Sequence, residues 1–165
     1  QLASAFNAAY ASIHNFIPLP ESGNPFIEKI IDTAIDDETS FTAEIQGRPL
    51  GLCVAYPNYN EMAFDPENQK NVYGSIKAAW KKRFGRIETE RIAFIGVSSD
   101  SAGLETGAGE SILLEEHIGR AAKNGYKWAE LSLVHENRKH LNDTIRKIGG
   151  EIHKVYRLYE KAIMK

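Results

Sequence analysis

Apolar residues recur at helical spacing from the start of the chain, at Leu2, Phe6, Tyr10, Ile13 and Phe16, until Pro18 and Pro20 end the pattern. This predicts a first amphipathic helix. A second, short helix is predicted over PFIEKIIDTAI from Pro25, with Phe26, Ile27, Ile30, Ile31, Ala34 and Ile35 on one broad face. The period then becomes that of strands. FTAEIQ (41–46) and LGLCVAYP (50–57), joined by a turn at Gly47-Arg48, predict an antiparallel hairpin. A polar linker with Pro66 leads into VYGSIKAAWKKRF (72–84), where Val72, Ile76, Ala79, Trp80 and Phe84 mark the buried stripe of another helix.

RIAFIGVSS (91–99) predicts a strand, followed by the glycine-rich stretch GLETGAGES (103–111) and a helix that runs to about Asn124 and ends at Gly125. WAELSLV (128–134) predicts a further strand, and HENRKHLNDTIRKIGG contains a helix closed by Gly149 and Gly150. EIHKVYRLYEKAI is a last extended segment alternating around Val155, Leu158 and Tyr159. Helices and strands alternate only in the second half. The sum is a mixed α/β (α+β) sandwich, antiparallel at first, with one strand-helix-strand crossover around the glycine stretch.

With 165 residues, 42% hydrophobic and 25% charged, the chain fits one globular domain over residues 1–165. A net charge of −2 and a longest basic run of Lys81-Lys82-Arg83 argue against an extended nucleic-acid surface. Cys53 is the single cysteine, so no internal disulfide exists, and its place in GLCVAY marks a small buried hydrophobe. That fits a reducing, cytoplasmic setting. No apolar run is long enough to span a bilayer, so no membrane partner is expected. The first residue is Gln1 and helix-like residues begin at once, which leads us to expect a processed chain or a longer parent polypeptide, with room for a second domain or a homodimer.

The glycine stretch carries the candidate chemistry, because helix-start N–H groups can converge on an anion there. A P-loop is excluded: the residue after Gly109 is Glu110, not the lysine that holds terminal phosphates. A dinucleotide fingerprint started at Gly107 and Gly109 puts Ile112 at its third small position, which opposes close packing of helix on strand. What remains is a shorter strand-xxxGxG-helix arrangement, or simply a glycine-rich turn into a helix.

The strand RIAFIGV, loop LETGAG, helix SILLEEHIGRAAKNG, strand WAELSLV, Asn137, a helix, Gly149 and VYRLYEK resemble, in order, the acetyl-CoA-binding core of the GNAT N-acyltransferases. The resemblance covers the chain from about Phe41 onward and points to a poorly characterised branch of that superfamily. It implies the GNAT fold, with acetyl-CoA or another acyl-CoA as co-substrate and a small-molecule or peptide amine as acceptor. It also implies a V-shaped opening between strands 91–99 and 128–134. There the backbone of Ile95, Gly96, Val97 and Ser98 would hold the pantetheine arm, with the thioester oxygen polarised by the N–H of Val97 or Ser98. The loop from Leu104, through the N–H groups of Thr106, Gly107, Ala108, Gly109 and Glu110, would hold the pyrophosphate. Asn137 matches the position of an amide near the pantetheine; as a plain sequence feature it is equally a helix N-cap.

Two departures from the family pattern matter. The loop has Leu104 where the family places Arg or Gln, and it carries Glu105 and Glu110 against a polyanionic cofactor, with Arg120, Lys123 and Arg138 near in sequence to compensate. The family's acid, a tyrosine about seven residues after the Asn, is replaced by Thr144 and Ile145. His135 follows the strand expected to line the acceptor side and is the first candidate base, against a solvent-exposed strand-end histidine, with Glu130 the second, against a structurally paired carboxylate. Tyr156 or Tyr159 is the candidate proton donor, only one of which can face the cleft. No spacing among the five histidines and Cys53 suggests a metal site. Three readings follow: an acyl-CoA-dependent N-acyltransferase, a GNAT-shaped domain that binds without turnover, and an unrelated nucleotide binder. Aromatic residues in the first helices and last strands (Phe6, Tyr10, Phe16, Phe26, Tyr56, Tyr59, Tyr156, Tyr159) favour a partly apolar acceptor or acyl chain over an aminoglycoside.

Overall fold

The computed structural model describes residues 2–11, 16–20, 34–59, 87–98, 106–157 and 159. Most of the helix predicted from Pro25, the whole helix predicted over 72–84, and Leu104 and Glu105 lie outside these residues. The described elements are α1 (Leu2–Tyr10), β1 (Phe41–Ile45), β2 (Arg48–Pro57), β3 (Thr89–Val97), α2 (Thr106–Lys123), β4 (Trp128–Leu131) and α3 (Lys139–Lys147). The strands form one mixed sheet in the order β1-β2-β3-β4, antiparallel except for the parallel pair β3-β4. This is the predicted mixed α/β architecture.

The β1-β2 hairpin turns at Gln46 and Gly47, both at positive φ (51° and 76°), one residue earlier than the sequence suggests. Two positive φ values give a reversal whose twist matches the flanking strands, and this takes Arg48 into the ladder. β2 is nearly all apolar because both its faces are covered. On one face α1 lays Ala5 against Leu52 and Val54, with Phe6, Ala9 and Tyr10 beside them. On the other, Leu113, Leu114 and Leu141 from α2 and α3 pack on Cys53, Ala55, Ile92, Ile95 and Val97. Gly125 and Gly149 end α2 and α3, and in each case the next residue's N–H reaches back to a carbonyl of the last turn (Tyr126 to Ala121, Gly150 to Ile145).

The end of the chain differs from the expectation. Residues 151–157 belong to no strand, and Ile152, Val155, Tyr156 and Tyr159 are exposed. Alternation marks a strand only where an edge is available to pair with it. β4 offers four residues, and among the described residues nothing lies hydrogen-bonded along its outer side. β4 also stops three residues short of the predicted Val134, since Leu133 adopts φ 56° and turns the chain out of the sheet.

Candidate active site where two strands part

β3 and β4 pair only from Thr89-Trp128 to Ile92-Leu131, and the last bond across is Ser132 N–H to the Ile92 carbonyl at 3.2 Å. Beyond it the sheet is split. On the other side of β3, Ala55 of β2 pairs with Ile92 and Val54 with Phe94, which leaves Ala93 as an unpaired bulge. The extra residue changes which backbone groups face outward, so the carbonyls of Ile92 and Ile95, three apart, both point to the β4 side. Ser98 N–H returns to the Leu50 carbonyl at 2.7 Å. Alternation therefore turns Ile95 and Val97 to the split, and Gly96 and Ser98 to β2. Of the four residues expected to hold a pantetheine arm, two face the opening.

Two side chains converge there from opposite faces of the sheet. Tyr10, the last residue of α1, donates its Oη–H to the Ile95 carbonyl at 3.1 Å, and Arg138 Nη2 donates to the same oxygen at 2.9 Å. Arg138 occupies the N-cap position of α3 and also pairs with the buried carboxylate of Glu110 in α2. Burial pushes the Tyr10 phenol above its ordinary range, more than the nearby Arg138 pulls it down, so it stays protonated. Phe6 stacks on Tyr10 with ring centroids 4.8 Å apart, and Phe94, just past the bulge, meets Phe6 edge-on at 5.1 Å. Phe16 lies 5.8 Å from Phe6. One wall beside the split is thus aromatic.

The helix after β3 starts at Thr106, inside the glycine stretch. Thr106, Gly107 and Ala108 form the first turn, where a helix leaves N–H groups without an intrahelical partner, while Gly109 and Glu110 lie within the helix. The expectation that Glu110 N–H joins the anion site, with the helix starting at that residue, is corrected accordingly. A Cβ on Gly109 would stand 3.0 Å from both Val97 γ-carbons, so this glycine lets α2 lie flush on β3 beside the split. Glu110 is neutralised by Arg138. Arg120 and Lys123 sit in the last turn of α2, roughly 20 Å from its start at about 1.5 Å per residue. Arg120 pairs there with Glu116 and lies over the Phe41 ring, so neither can compensate charge at the N-terminus.

The candidate catalytic residues are scattered. Glu130 faces Arg91 in register, in the closed part of the ladder, at 2.7 Å. The hydrogen bond from Arg91 holds its carboxyl below the usual range, as a paired carboxylate. His135 is exposed past the end of β4, and its Nδ1 accepts the Asn137 N–H at 3.2 Å. Asn137 is exposed in that turn and does not cap α3, since Arg138 holds the cap position. Tyr156 is 66% exposed in the segment outside the sheet. Thr144, where the resemblance puts a tyrosine acid, bonds Ser111 at 2.8 Å and ties α3 to α2. Sequence reasoning counts Tyr10 and Arg138 but does not place them at the split; the residue types are visible, their meeting at Ile95 is not. Among the described residues no three His, Cys, Asp or Glu side chains gather as a metal site, and no helix is long and apolar enough to cross a membrane.

The fold is shared with solved acetyltransferases. An aminoglycoside acetyltransferase from an uncultured soil metagenomic sample, crystallised with sisomicin, superposes with a TM-score of 0.56 at 12% identity, covering 96% of this chain and 84% of that one. A polyamine N-acetyltransferase of Drosophila melanogaster gives 0.53 at 20% identity, covering 90% and 76%. The chain has the GNAT acyltransferase fold. In sequence it is similar to a bacterial ceramide synthase of Caulobacter vibrioides (strain NA1000 / CB15N) and to Protein YghO of Escherichia coli (strain K12). Each is 27% identical over 163 residues, 98% of this chain and 42% of the relative. The chain therefore spans less than half the length of these curated relatives. No family model matches it.

Proposed function

We propose that this chain is an acyl-CoA-dependent N-acyltransferase whose acceptor is the amine of a partly apolar small molecule. The observation that carries the reading is the split itself: β4 stops pairing at Ile92-Leu131, so among the described residues no strand lies beside Val97, whose edge stands next to the first turn of α2. An extended pantetheine arm can add to such an edge as a strand does, with its pyrophosphate at the helix start. The residues fit an acyl-CoA. Glu110 does not oppose the phosphates, because Arg138 pairs with it. The arm then runs away from α2 along β3, and its acyl end comes to Ile95. Ser98 N–H is engaged with the Leu50 carbonyl, so the N–H of Val97 or Ile95 is left to polarise the thioester oxygen.

The acceptor class follows from the aromatic wall of Phe6, Phe16 and Phe94 and from the relative named a ceramide synthase, a ceramide being the N-acyl amide of a long-chain amino alcohol. Acetyl-CoA and longer acyl-CoAs are both admitted, and a peptide amine is the less apolar option. His135 is exposed and within water's reach, which suits proton acceptance from the amine through solvent. A reading without turnover draws on Thr144 standing where an acid is expected. Thermal unfolding of the protein with acetyl-CoA and palmitoyl-CoA, followed by an assay for N-acylation of sphinganine, tests the proposal. An acyl-CoA present at 100 times its Kd stabilises the fold by about 2.7 kcal/mol. No shift with either thioester overturns the reading, and a shift without product leaves only the binding domain.

A further inference from the structure

We propose that the face formed by Trp128 of β4 and residues 151–157 docks on an anionic lipid surface, its aromatic and aliphatic side chains entering the headgroup layer while Lys154 and Arg157 meet lipid phosphates. This role goes beyond the acyltransferase reading and does not rest on it. Leu131 packs with Ile92 toward α2 and α3, so alternation turns Trp128 and Glu130 to the opposite face of the sheet. Trp128 is 75% exposed there. The segment after α3 runs close by: behind the Arg91 hydrogen bond, the positive charges of Lys154 and His153 also lower the Glu130 carboxyl. Within that segment Ile152, Val155 and Tyr156 are exposed, as is Tyr159 just after it.

Charge decides what such a face meets. From Ile152 to Tyr159 the sequence carries His153, Lys154 and Arg157 and no Asp or Glu, although the chain as a whole has a net charge of −2. The core of a protein–protein contact is depleted of lysine and other charges, whereas here basic and apolar residues interleave along one stretch. Trp and Tyr beside Lys and Arg suit the boundary of a bilayer. The rings settle at headgroup depth, and long basic side chains lay their stems on the apolar layer while their charged ends stay at the phosphates. The expectation of no membrane partner followed from the lack of a spanning run, and a face that lies on a surface needs none. An acceptor with a long apolar chain, as proposed above, is held in such a surface.

Co-sedimentation of the chain with vesicles of equal parts phosphatidylglycerol and phosphatidylcholine tests the docking. Binding is expected, falling as salt is raised and about 25-fold weaker on phosphatidylcholine alone, since each basic residue at an anionic surface gives about fivefold. Lys154→Gln combined with Arg157→Gln is expected to cause the same loss on the mixed vesicles. Trp128→Ser combined with Tyr156→Ser is expected to weaken binding by about tenfold or more through lost apolar contact. All four positions are exposed, so thermal unfolding is expected to be unchanged in both double variants. Ile118→Ser, at an exposed position of α2 on the other face of the sheet, is expected to bind as the unaltered chain does. No binding to the mixed vesicles, equal binding to phosphatidylcholine alone, or binding that survives both double variants overturns the proposal. A dimer in sedimentation velocity that dissociates with Trp128→Ser and Tyr156→Ser also overturns it, because the face then belongs to a second copy of the chain.

Discussion

Glu110 brings a carboxylate into the start of α2, where it would oppose any anion, and Arg138 meets it from the first turn of α3. The guanidinium is about a quarter exposed and the carboxylate nearly buried. Losing either partner strands a charge or a donor in a poorly solvated place. Glu110→Gln is expected to destabilise the protein by about 1–3 kcal/mol, the partial exposure of Arg138 holding it below the cost of a fully buried pair. Urea denaturation checks this. Because a freed Arg138 can turn to a phosphate, acyl-CoA affinity in the same variant is expected to hold or rise. In sequence Glu110 is legible only as a repulsive charge, since nothing in local spacing couples it to a residue 28 positions away.

The contact between α2 and β3 decides how the helix start stands over the split. Gly109 allows it, because any β-carbon there meets both methyl groups of Val97. Gly109→Val is expected to push α2 off the strand, at a cost of about 1–3 kcal/mol, and to abolish the thermal shift with acyl-CoA. Gly119, on the exposed side of the same helix, has nothing within 4 Å of an added Cβ. Gly119→Ala is expected to stabilise by about 0.4–1 kcal/mol with binding unchanged, which separates a register effect from a general response of the helix. The glycines themselves are visible in GLETGAGES. That one of them serves packing on Val97 follows from a helix that starts at Thr106 rather than at Glu110.

Across the whole molecule, one buried polar cluster joins the sheet to its main helix. His117 of α2 lies between Cys53 of β2 and Glu90 of β3. Its Nε2 is 2.9 Å from Glu90 Oε1, an ion-pair distance off hydrogen-bond alignment, and its Nδ1 is 3.1 Å from the Thr39 carbonyl. Burial alone would lower this imidazole, but Cys53 and Glu90 facing the ring outweigh it and push it up to about 10. A raised folded-state value means that the contribution to stability is fully present below the ordinary pKa of 6.5 and is lost as pH rises through about 10. The unfolding midpoint in urea is expected to fall over that window in the natural protein. In His117→Gln the slope is expected to vanish, with about 3–5 kcal/mol lost at neutral pH because Glu90 is left buried and unpaired. A midpoint that is flat with pH in the natural protein rules out the charged pair.

Local pattern determined the order of elements. The alternation of FTAEIQ and LGLCVAYP, the apolar run of RIAFIGV and the helix periods after the glycine stretch are set by side-chain periodicity, which is a property of neighbours in the chain. The same order carried the resemblance to the GNAT acyltransferases. Periodicity also implied a final extended segment over 151–163 and a β4 reaching Val134; residues 151–157 belong to no strand, and β4 ends at Leu131 as Leu133 turns at φ 56° out of the sheet, neither of which alternation records. Only the tertiary structure decided the site. Where β4 leaves β3, which backbone groups the Ala93 bulge turns outward, and that Tyr10 and Arg138 close on one carbonyl from opposite faces all depend on contacts between residues from 37 (Ala55 and Ile92) to 85 (Tyr10 and Ile95) positions apart. At such separations the chain's own pattern holds no record of the contact, because what selects it is the packing of whole helices on the sheet.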